Sequence, residues 1–176
     1  MLGFLAETGV CLRHEFREGN VPPQSGVLEF VKHCFRLCPK IKYLRSDSAA
    51  YQAEVINWCQ EKGIGFTITA DQDAGVKGVI PTVRDWQPLR DEEGQETDRE
   101  VATAIHIMAK TREPFRLVIQ RWRDSQLSLF QPSGYCDYMI ATSRDDLTPE
   151  EVVWFHNQKG QAENFIKELK IGFGME

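Results

Sequence analysis

Apolar and polar residues alternate over the first 17 positions of the chain, which predicts a β-hairpin. The apolar residues that mark one face of its two strands are Leu2, Phe4 and Ala6, then Val10, Leu12 and Phe16. Glu7, Thr8 and Gly9 supply the turn between the strands. Gly19 and the prolines at 22–23 end the pattern, because glycine and proline favour turns. The chain therefore opens with two short antiparallel strands.

The spacing of apolar residues changes to a helical period from residue 24 to about residue 37. A strand is predicted over residues 40–47, and a second helix follows, which Ser48 can cap and Gly63 can end. A further strand is predicted over residues 64–68. Strand–helix–strand units imply parallel pairing, so this part of the chain predicts an α/β fold with a mixed sheet and helices packed on it.

Residues 71–142 interrupt this order. A loop-like stretch and a charged segment of low apolar content come first, and strand-like runs then return at 101–108, 115–123, 126–130 and 135–142. A helix of the earlier kind follows these runs. We therefore predict one domain, in which residues 1–70 and 143–176 form the core and residues 71–142 form a β-rich insertion.

The last predicted helix begins with a strong capping signal. Thr148 stands at the N-cap and Glu151 three residues later, which is the arrangement of a capping box. At about 100° per residue, four polar residues fall within an arc of roughly 60° that borders the apolar face, namely His156, Lys159, Glu163 and Lys170. A carboxylate between cations in this polar stripe can bind a metal ion beside a phosphate. The ordinary alternative is a solvated charged face.

The bulk composition limits the range of functions. With 176 residues, of which 41% are hydrophobic, the chain suits a single domain with a substantial core. No apolar run approaches the roughly 20 residues that span a bilayer, and the N-terminus lacks the pattern of a signal peptide. We therefore expect a cytoplasmic protein without a membrane segment. The five cysteines include no CxxC pair, so reduced thiols are expected.

The net charge of −5 argues against a free-standing DNA-binding domain, because neutralising DNA phosphates usually requires a basic protein. A DNA site in this chain must therefore be a local basic patch. The densest cluster of basic and aromatic residues consists of Arg116, Arg121, Trp122 and Arg123. This cluster can contact a DNA backbone, and a solvated strand face is the alternative.

Two carboxylates on separate elements are candidate metal ligands. Asp47 follows a predicted buried strand, at the sheet edge where ligands bind in open α/β folds, although an aspartate there can also cap the next helix. Glu163 lies on the polar stripe of a helix that can pack beside this strand. Mg²⁺ is bound by such carboxylates, and two ions commonly support phosphodiester chemistry. Lys159 and Lys170 would then hold phosphates beside the metal.

Two segments of the chain resemble bacterial insertion-sequence DDE transposases, in the branch with the signature Y-x2-R-x3-E-x6-K. The first segment is Arg45-Ser46-Asp47-Ser48-Ala49-Ala50-Tyr51, and the second is the polar stripe with residues 160–170. The hairpin segment 3–9 and the turn at 17–20 are also similar to that family. The resemblance extends over nearly the whole chain.

The resemblance implies a ribonuclease-H-like fold with a β-rich insertion before the glutamate. It also implies metal-dependent DNA cleavage and strand transfer at transposon ends, with Mg²⁺ or Mn²⁺ held by three carboxylates. Asp47 would be the second carboxylate and Glu163 the third, and Lys170 would contact DNA. Trp86 lies in the insertion, where this family can place an aromatic residue that stacks on an unpaired base.

The chain departs from the family's pattern at three points. His156 stands where the signature has tyrosine, and Lys159 stands where it has arginine, which keeps the charge but loses the bidentate fork for phosphate. In the family, the first aspartate lies on a strand before the hairpin with which this chain begins, and no hairpin residue replaces it. We therefore interpret the chain as a catalytic-domain fragment that is inactive alone, and in which the metal need not bind.

Three further hypotheses follow from the missing strand. Without that strand a neighbouring sheet edge is exposed, through which a homodimer can form. The fragment can alternatively be a regulator that binds DNA or a transposase without catalysis. It can also be a small metal-dependent nuclease that uses a different third ligand, such as Asp137 or Glu54.

Overall fold

The computed structural model describes residues 1–123, 134–158 and 160. The strands are β1 (Leu2–Leu5), β2 (Val10–His14), β3 (Tyr43–Ser46), β4 (Gly65–Thr69), β5 (Gln87–Arg90), β6 (Glu96–His106), β7 (Phe115–Arg123) and β8 (Tyr135–Thr142). The helices are α1 (Val27–Leu37), α2 (Ala53–Lys62), α3 (Ala74–Val79) and α4 (Pro149–Asn157), with 3₁₀ turns at Ser48–Ala50 and Ile80–Thr82. No helix in this part of the chain has the length and apolar character needed to cross a bilayer.

The predicted N-terminal hairpin is confirmed. β1 and β2 form a separate two-stranded antiparallel sheet, in which Leu2 pairs with His14. Gly9 completes the turn at a φ of 69°, a conformation that glycine adopts without steric cost. The hairpin lies against α1, where the guanidinium of Arg13 stands 5.3 Å from the centre of the Phe30 ring.

The main sheet has six strands in the order β3-β4-β8-β7-β6-β5. β3 and β4 are parallel, and every other neighbouring pair is antiparallel. The predicted mixed α/β sheet with flanking helices is thus confirmed, and it is compatible with a ribonuclease-H-like fold. β8 pairs directly with β4, so strands from residues 71–142 extend the sheet that β3 and β4 begin. The division into a core and an insertion stays a prediction.

Helices cover the two faces of this sheet and bury a separate apolar cluster on each. The cluster under α1, α2 and α3 includes Val31, Val55, Ile56, Phe66, Ile68, Val76, Leu117, Ile119 and Met139. The cluster under α4 consists of Leu89, Val101, Val118, Ile140, Val152 and Val153. Because side chains alternate across a strand, Phe66 and Ile68 face the first cluster, whereas Thr67 and Thr69 face α4.

Local signals predicted two helix ends correctly. The capping box at Thr148 is present with both of its hydrogen bonds, and Gly63 ends α2 with a φ of 63°. The expectation that Ser48 caps the second helix is wrong, because Asp47 caps a 3₁₀ turn there and α2 starts only at Ala53. The strand predicted at 126–130, and most of the last predicted helix beyond Gln158, lie outside the described residues.

Candidate active site

Asp47 lies at the carboxyl end of β3, beside the parallel strand β4. Arg45 is level with Thr67 in the β3–β4 register, so two residues further along Asp47 comes level with Thr69. Its side chain is exposed, and Oδ1 accepts a hydrogen bond from the backbone N–H of Ala49 at 3.1 Å. Asp47 therefore caps the following 3₁₀ turn through one oxygen, and Oδ2 makes no hydrogen bond to another described residue.

The last described helix runs toward the same end of the sheet. Just before α4, the hydroxyl of Ser143 accepts a hydrogen bond from the N–H of Phe66, near the amino end of β4. At the end of α4, His156 contacts Thr69, the final residue of β4. α4 therefore runs from the amino end of β4 to its carboxyl end, and it ends at the edge of the sheet that carries Asp47.

His156 is fully buried between α4 and the sheet. Its Nε2 atom lies 3.0 Å from the Thr69 hydroxyl and 3.1 Å from the Tyr138 hydroxyl. The two hydroxyls are themselves 2.7 Å apart. The sequence placed His156 on a polar stripe and indicated a contact with DNA. That role stays a prediction, and in this conformation the imidazole bonds to the protein interior.

The remaining residues of the polar stripe are not located by the structure. Lys159, Glu163 and Lys170 all lie outside the described residues. Their roles as phosphate contacts and as the third carboxylate therefore stay predictions. Of the four stripe residues, only His156 has a position that can be compared with that of Asp47.

A basic side chain on β3, two residues before Asp47, contacts the end of α4. The guanidinium of Arg45 donates to the Phe155 carbonyl and, at 3.2 Å, to Oε1 of Gln158. It also lies 4.9 Å from the centre of the Phe155 ring. Burial lowers the pKa of Arg45, and the carboxylate of Glu7 opposes that shift. Sequence reasoning quoted Arg45 only for its resemblance to the family motif and missed this structural role.

Trp86 is half-buried, and an arginine covers one face of its ring. The guanidinium of Arg121 is 3.7 Å from the centre of the indole and also donates to Glu100 at 2.7 Å. The Tyr135 ring lies beside the same guanidinium, at 4.6 Å. Stacking of a DNA base on Trp86 stays a prediction, and on this face the base would have to replace Arg121.

The basic cluster of β7 does not form one patch. Arg116 faces the α4 side of the sheet, where its guanidinium donates to the carbonyls of Arg144 and Leu147 at 3.1 and 2.7 Å. Arg121 faces the opposite side and stacks on Trp86. The strand alternation that separates these side chains follows from the sequence once the strand is known. The cluster therefore divides its charge between two surfaces.

The alternative third ligands Asp137 and Glu54 lie on β8 and α2, and their role as metal ligands stays a prediction. Asp137 is directly opposite Arg121 in the β7–β8 register, and burial raises its carboxyl pKa while Arg121 opposes the rise. Glu54 is exposed in the first turn of α2. Within the described residues, no group of three or more His, Cys, Asp or Glu side chains is arranged to hold a metal ion.

Asp47 has the chemistry expected of a magnesium ligand at this edge. It offers an exposed carboxylate with one oxygen outside its capping bond, and Mg²⁺ binds through one or two such groups together with phosphate oxygens and water. The sequence predicts that a second carboxylate completes the site. Glu163 is the candidate that the sequence provides.

The comparison with known proteins gives one result that covers the whole chain. A family described as transposase DDE domain group 1 matches residues 1–176. No curated protein matches the sequence. The family match agrees with the resemblance that the residues around Asp47 and Glu163 carry.

Proposed function

Because the chain belongs to this family of transposase DDE domains, we propose that it is part of the catalytic domain of an insertion-sequence transposase. We place it in the branch with the signature Y-x2-R-x3-E-x6-K, acting on transposon-end DNA in the cytoplasm. The observation that carries the proposal is the exposed carboxylate of Asp47 at the carboxyl end of β3, toward which α4 runs.

In this proposal, Asp47 and Glu163 hold Mg²⁺ or Mn²⁺ beside the scissile phosphate. The bound ions would supply charge stabilisation and an activated nucleophile for phosphodiester cleavage. The hydrogen bond from the Ala49 N–H to Oδ1 holds the Asp47 carboxylate in place, and Oδ2 remains for a metal ion. Lys159 and Lys170 neutralise phosphates on the strand being cut, and Trp86 and His156 are further DNA contacts.

We also propose that this chain does not cleave DNA by itself. The family uses three carboxylates, and the segment that carries the first of them has no counterpart in the hairpin. Without that ligand, two carboxylates would have to hold the metal for which the family uses three. An open sheet edge supports this proposal, since no strand in the described residues pairs with the outer side of β3.

We expect the purified chain to leave supercoiled plasmid intact in Mg²⁺ or Mn²⁺, because one metal ligand is missing. Gel separation of supercoiled and nicked plasmid measures the result. Nicking that disappears in Asp47→Ala and persists in Asp98→Ala would contradict the proposed inactivity. Asp98 is a matched control because it is an exposed aspartate on β6.

A calorimetric titration with Mn²⁺, with and without transposon-end DNA, separates the proposed function from its alternatives. Binding of two ions by the chain alone would favour an intact small nuclease. Binding of DNA without any metal would favour a non-catalytic regulator. Absence of both would favour an inert catalytic-domain fragment.

We further propose that the open edge of β3 pairs with a second copy of the chain. Exposed backbone N–H and C=O groups at a sheet edge favour pairing with another strand. Tyr43, in this edge strand, is 47% exposed, so an aromatic side chain is also available for the contact. Light scattering after size exclusion should give twice the monomer mass, and a monomer at all concentrations would contradict the dimer.

A further inference from the structure

We propose that a partly buried polar cluster fixes the position of α4 on the sheet and thereby sets how close the end of this helix lies to the Asp47 edge. The cluster, which we call the Thr69 cluster, consists of Thr69 on β4, Tyr138 on β8 and His156 on α4. These three side chains are positioning residues in this proposal. In the described conformation they act through the helix, and this role needs no contact with substrate or metal.

The geometry of the Thr69 cluster joins three separate elements at one point. The Thr69 hydroxyl, the Tyr138 hydroxyl and Nε2 of His156 form a closed triangle with sides of 2.7, 3.0 and 3.1 Å. His156 is fully buried, so its ring is shielded from bulk water. A movement of α4 along or around its axis would break at least two of these contacts.

Apolar packing alone does not fix a helix in this way. Val152 and Val153 hold α4 on the sheet against Val118 and Ile140. Such contacts are non-directional, and similar packing survives small shifts of the helix. Hydrogen bonds between buried groups are directional, and a buried polar group that loses its partner pays the cost of desolvation. The cluster therefore favours the one position of α4 in which His156 meets both hydroxyls.

Arg45 provides a second connection from β3 to the end of the same helix. It donates to the Phe155 carbonyl, stacks on the Phe155 ring and bonds to Gln158. Arg45 precedes Asp47 by two residues in the chain. The distance from Asp47 to the end of α4 is thus controlled from β3 through Arg45 and from β4 through Thr69.

The consequence for catalysis rests on the proposed function, in which Glu163 follows α4 and supplies the third carboxylate. If that proposal holds, the Thr69 cluster determines how closely Glu163 approaches Asp47. The positioning of α4 itself does not depend on the metal or on DNA. It can therefore be tested separately.

The test compares Thr69→Val with Thr67→Val by hydrogen exchange of backbone amides in α4. Both threonines lie on β4 and face α4, and the Thr67 hydroxyl makes no hydrogen bond within the described residues. We expect Thr69→Val to accelerate exchange in the last turn of α4 about tenfold, the factor that about 1.4 kcal/mol produces. Thr67→Val should leave that exchange unchanged. Equal exchange in the two variants would overturn the proposal.

Two further variants separate positioning from a general loss of stability. Thr69→Ser restores the hydroxyl and should return exchange in α4 to the rate of the unmodified protein. Tyr138→Phe removes one corner of the triangle while it keeps the ring, and it should accelerate exchange at the end of α4 more than in β7. Uniform acceleration throughout the sheet in Tyr138→Phe, or failure of Thr69→Ser to restore slow exchange, would overturn the proposal.

Mn²⁺ titration of the same variants tests the consequence for the site. If the unmodified chain binds Mn²⁺, Thr69→Val should weaken that binding and Thr67→Val should not. If the unmodified chain binds none, the two-carboxylate site fails in this chain, and the exchange experiment still decides the positioning role. Failure of the proposed function and failure of this inference are thus distinguishable.

Discussion

Replacing Phe66 by alanine should lower the free energy of unfolding by about 3–5 kcal/mol, the cost typical of deleting a fully buried aromatic ring. Phe66 lies in β4, between β3 and β8, and none of its surface is exposed. The centre of its ring is 6.5 Å from that of Phe115. The substitution therefore opens a cavity in the core beside β4, the strand that joins β3 to the rest of the sheet.

Urea unfolding followed by circular dichroism measures this effect. The matched control is Phe16→Ala, which deletes the same ring from a residue that is 73% exposed, and its change should stay within about 0.5 kcal/mol. Equal losses in the two variants would contradict the placement of β4 at the centre of the core. The free energy of unfolding of a typical domain is about 5–15 kcal/mol, so Phe66→Ala should remove a large part of it.

Replacing Gly3 by valine should destabilise the protein by about 1–3 kcal/mol, because the hairpin has no room for a side chain at this position. A Cβ atom on Gly3 would come within 2.8 Å of Sγ of Cys34 and within 3.1 Å of a ring carbon of Phe30. Both neighbours belong to α1 and are buried. The hairpin would have to separate from the helix.

Gly19→Val is the matched control for this prediction. A Cβ atom at Gly19 meets no other atom within 4 Å, so the same substitution there should change the unfolding free energy little. Hydrogen exchange should show faster exchange in β1 and β2 of Gly3→Val while β6 and β7 stay protected. If exchange in the hairpin does not change, the close contact of the hairpin with α1 is incorrect.

The two largest effects fall on different parts of the fold. Phe66→Ala weakens the six-stranded sheet, whereas Gly3→Val weakens the attachment of the separate hairpin. The carboxylate of Glu7, in the hairpin turn, acts electrostatically on the Arg45 guanidinium on β3 and raises its pKa against the effect of burial. A loss of the hairpin should therefore also remove a negative charge from the neighbourhood of Arg45.

The sequence alone determined the local structure and the family. The hairpin pattern, the capping box at Thr148 and the helix end at Gly63 depend on residues only a few positions apart. Their physical causes act within one turn or one strand, so spacing and residue type suffice to predict them. The motif around Asp47 likewise identified the transposase family, because short segments of the chain carry it.

Only the tertiary structure decided which distant residues meet. No spacing in the sequence reveals that β8 pairs with β4, or that Thr69 and Tyr138 supply partners for His156 inside the protein. The polar stripe correctly placed His156 beside the apolar face of its helix, yet its burial depends on side chains from two other strands. Arg121 covers Trp86 for the same reason, since pairing across the sheet brings the two together. Short-range propensities depend on neighbouring residues in the sequence, whereas the burial of a side chain and the residues it contacts depend on how the strands assemble.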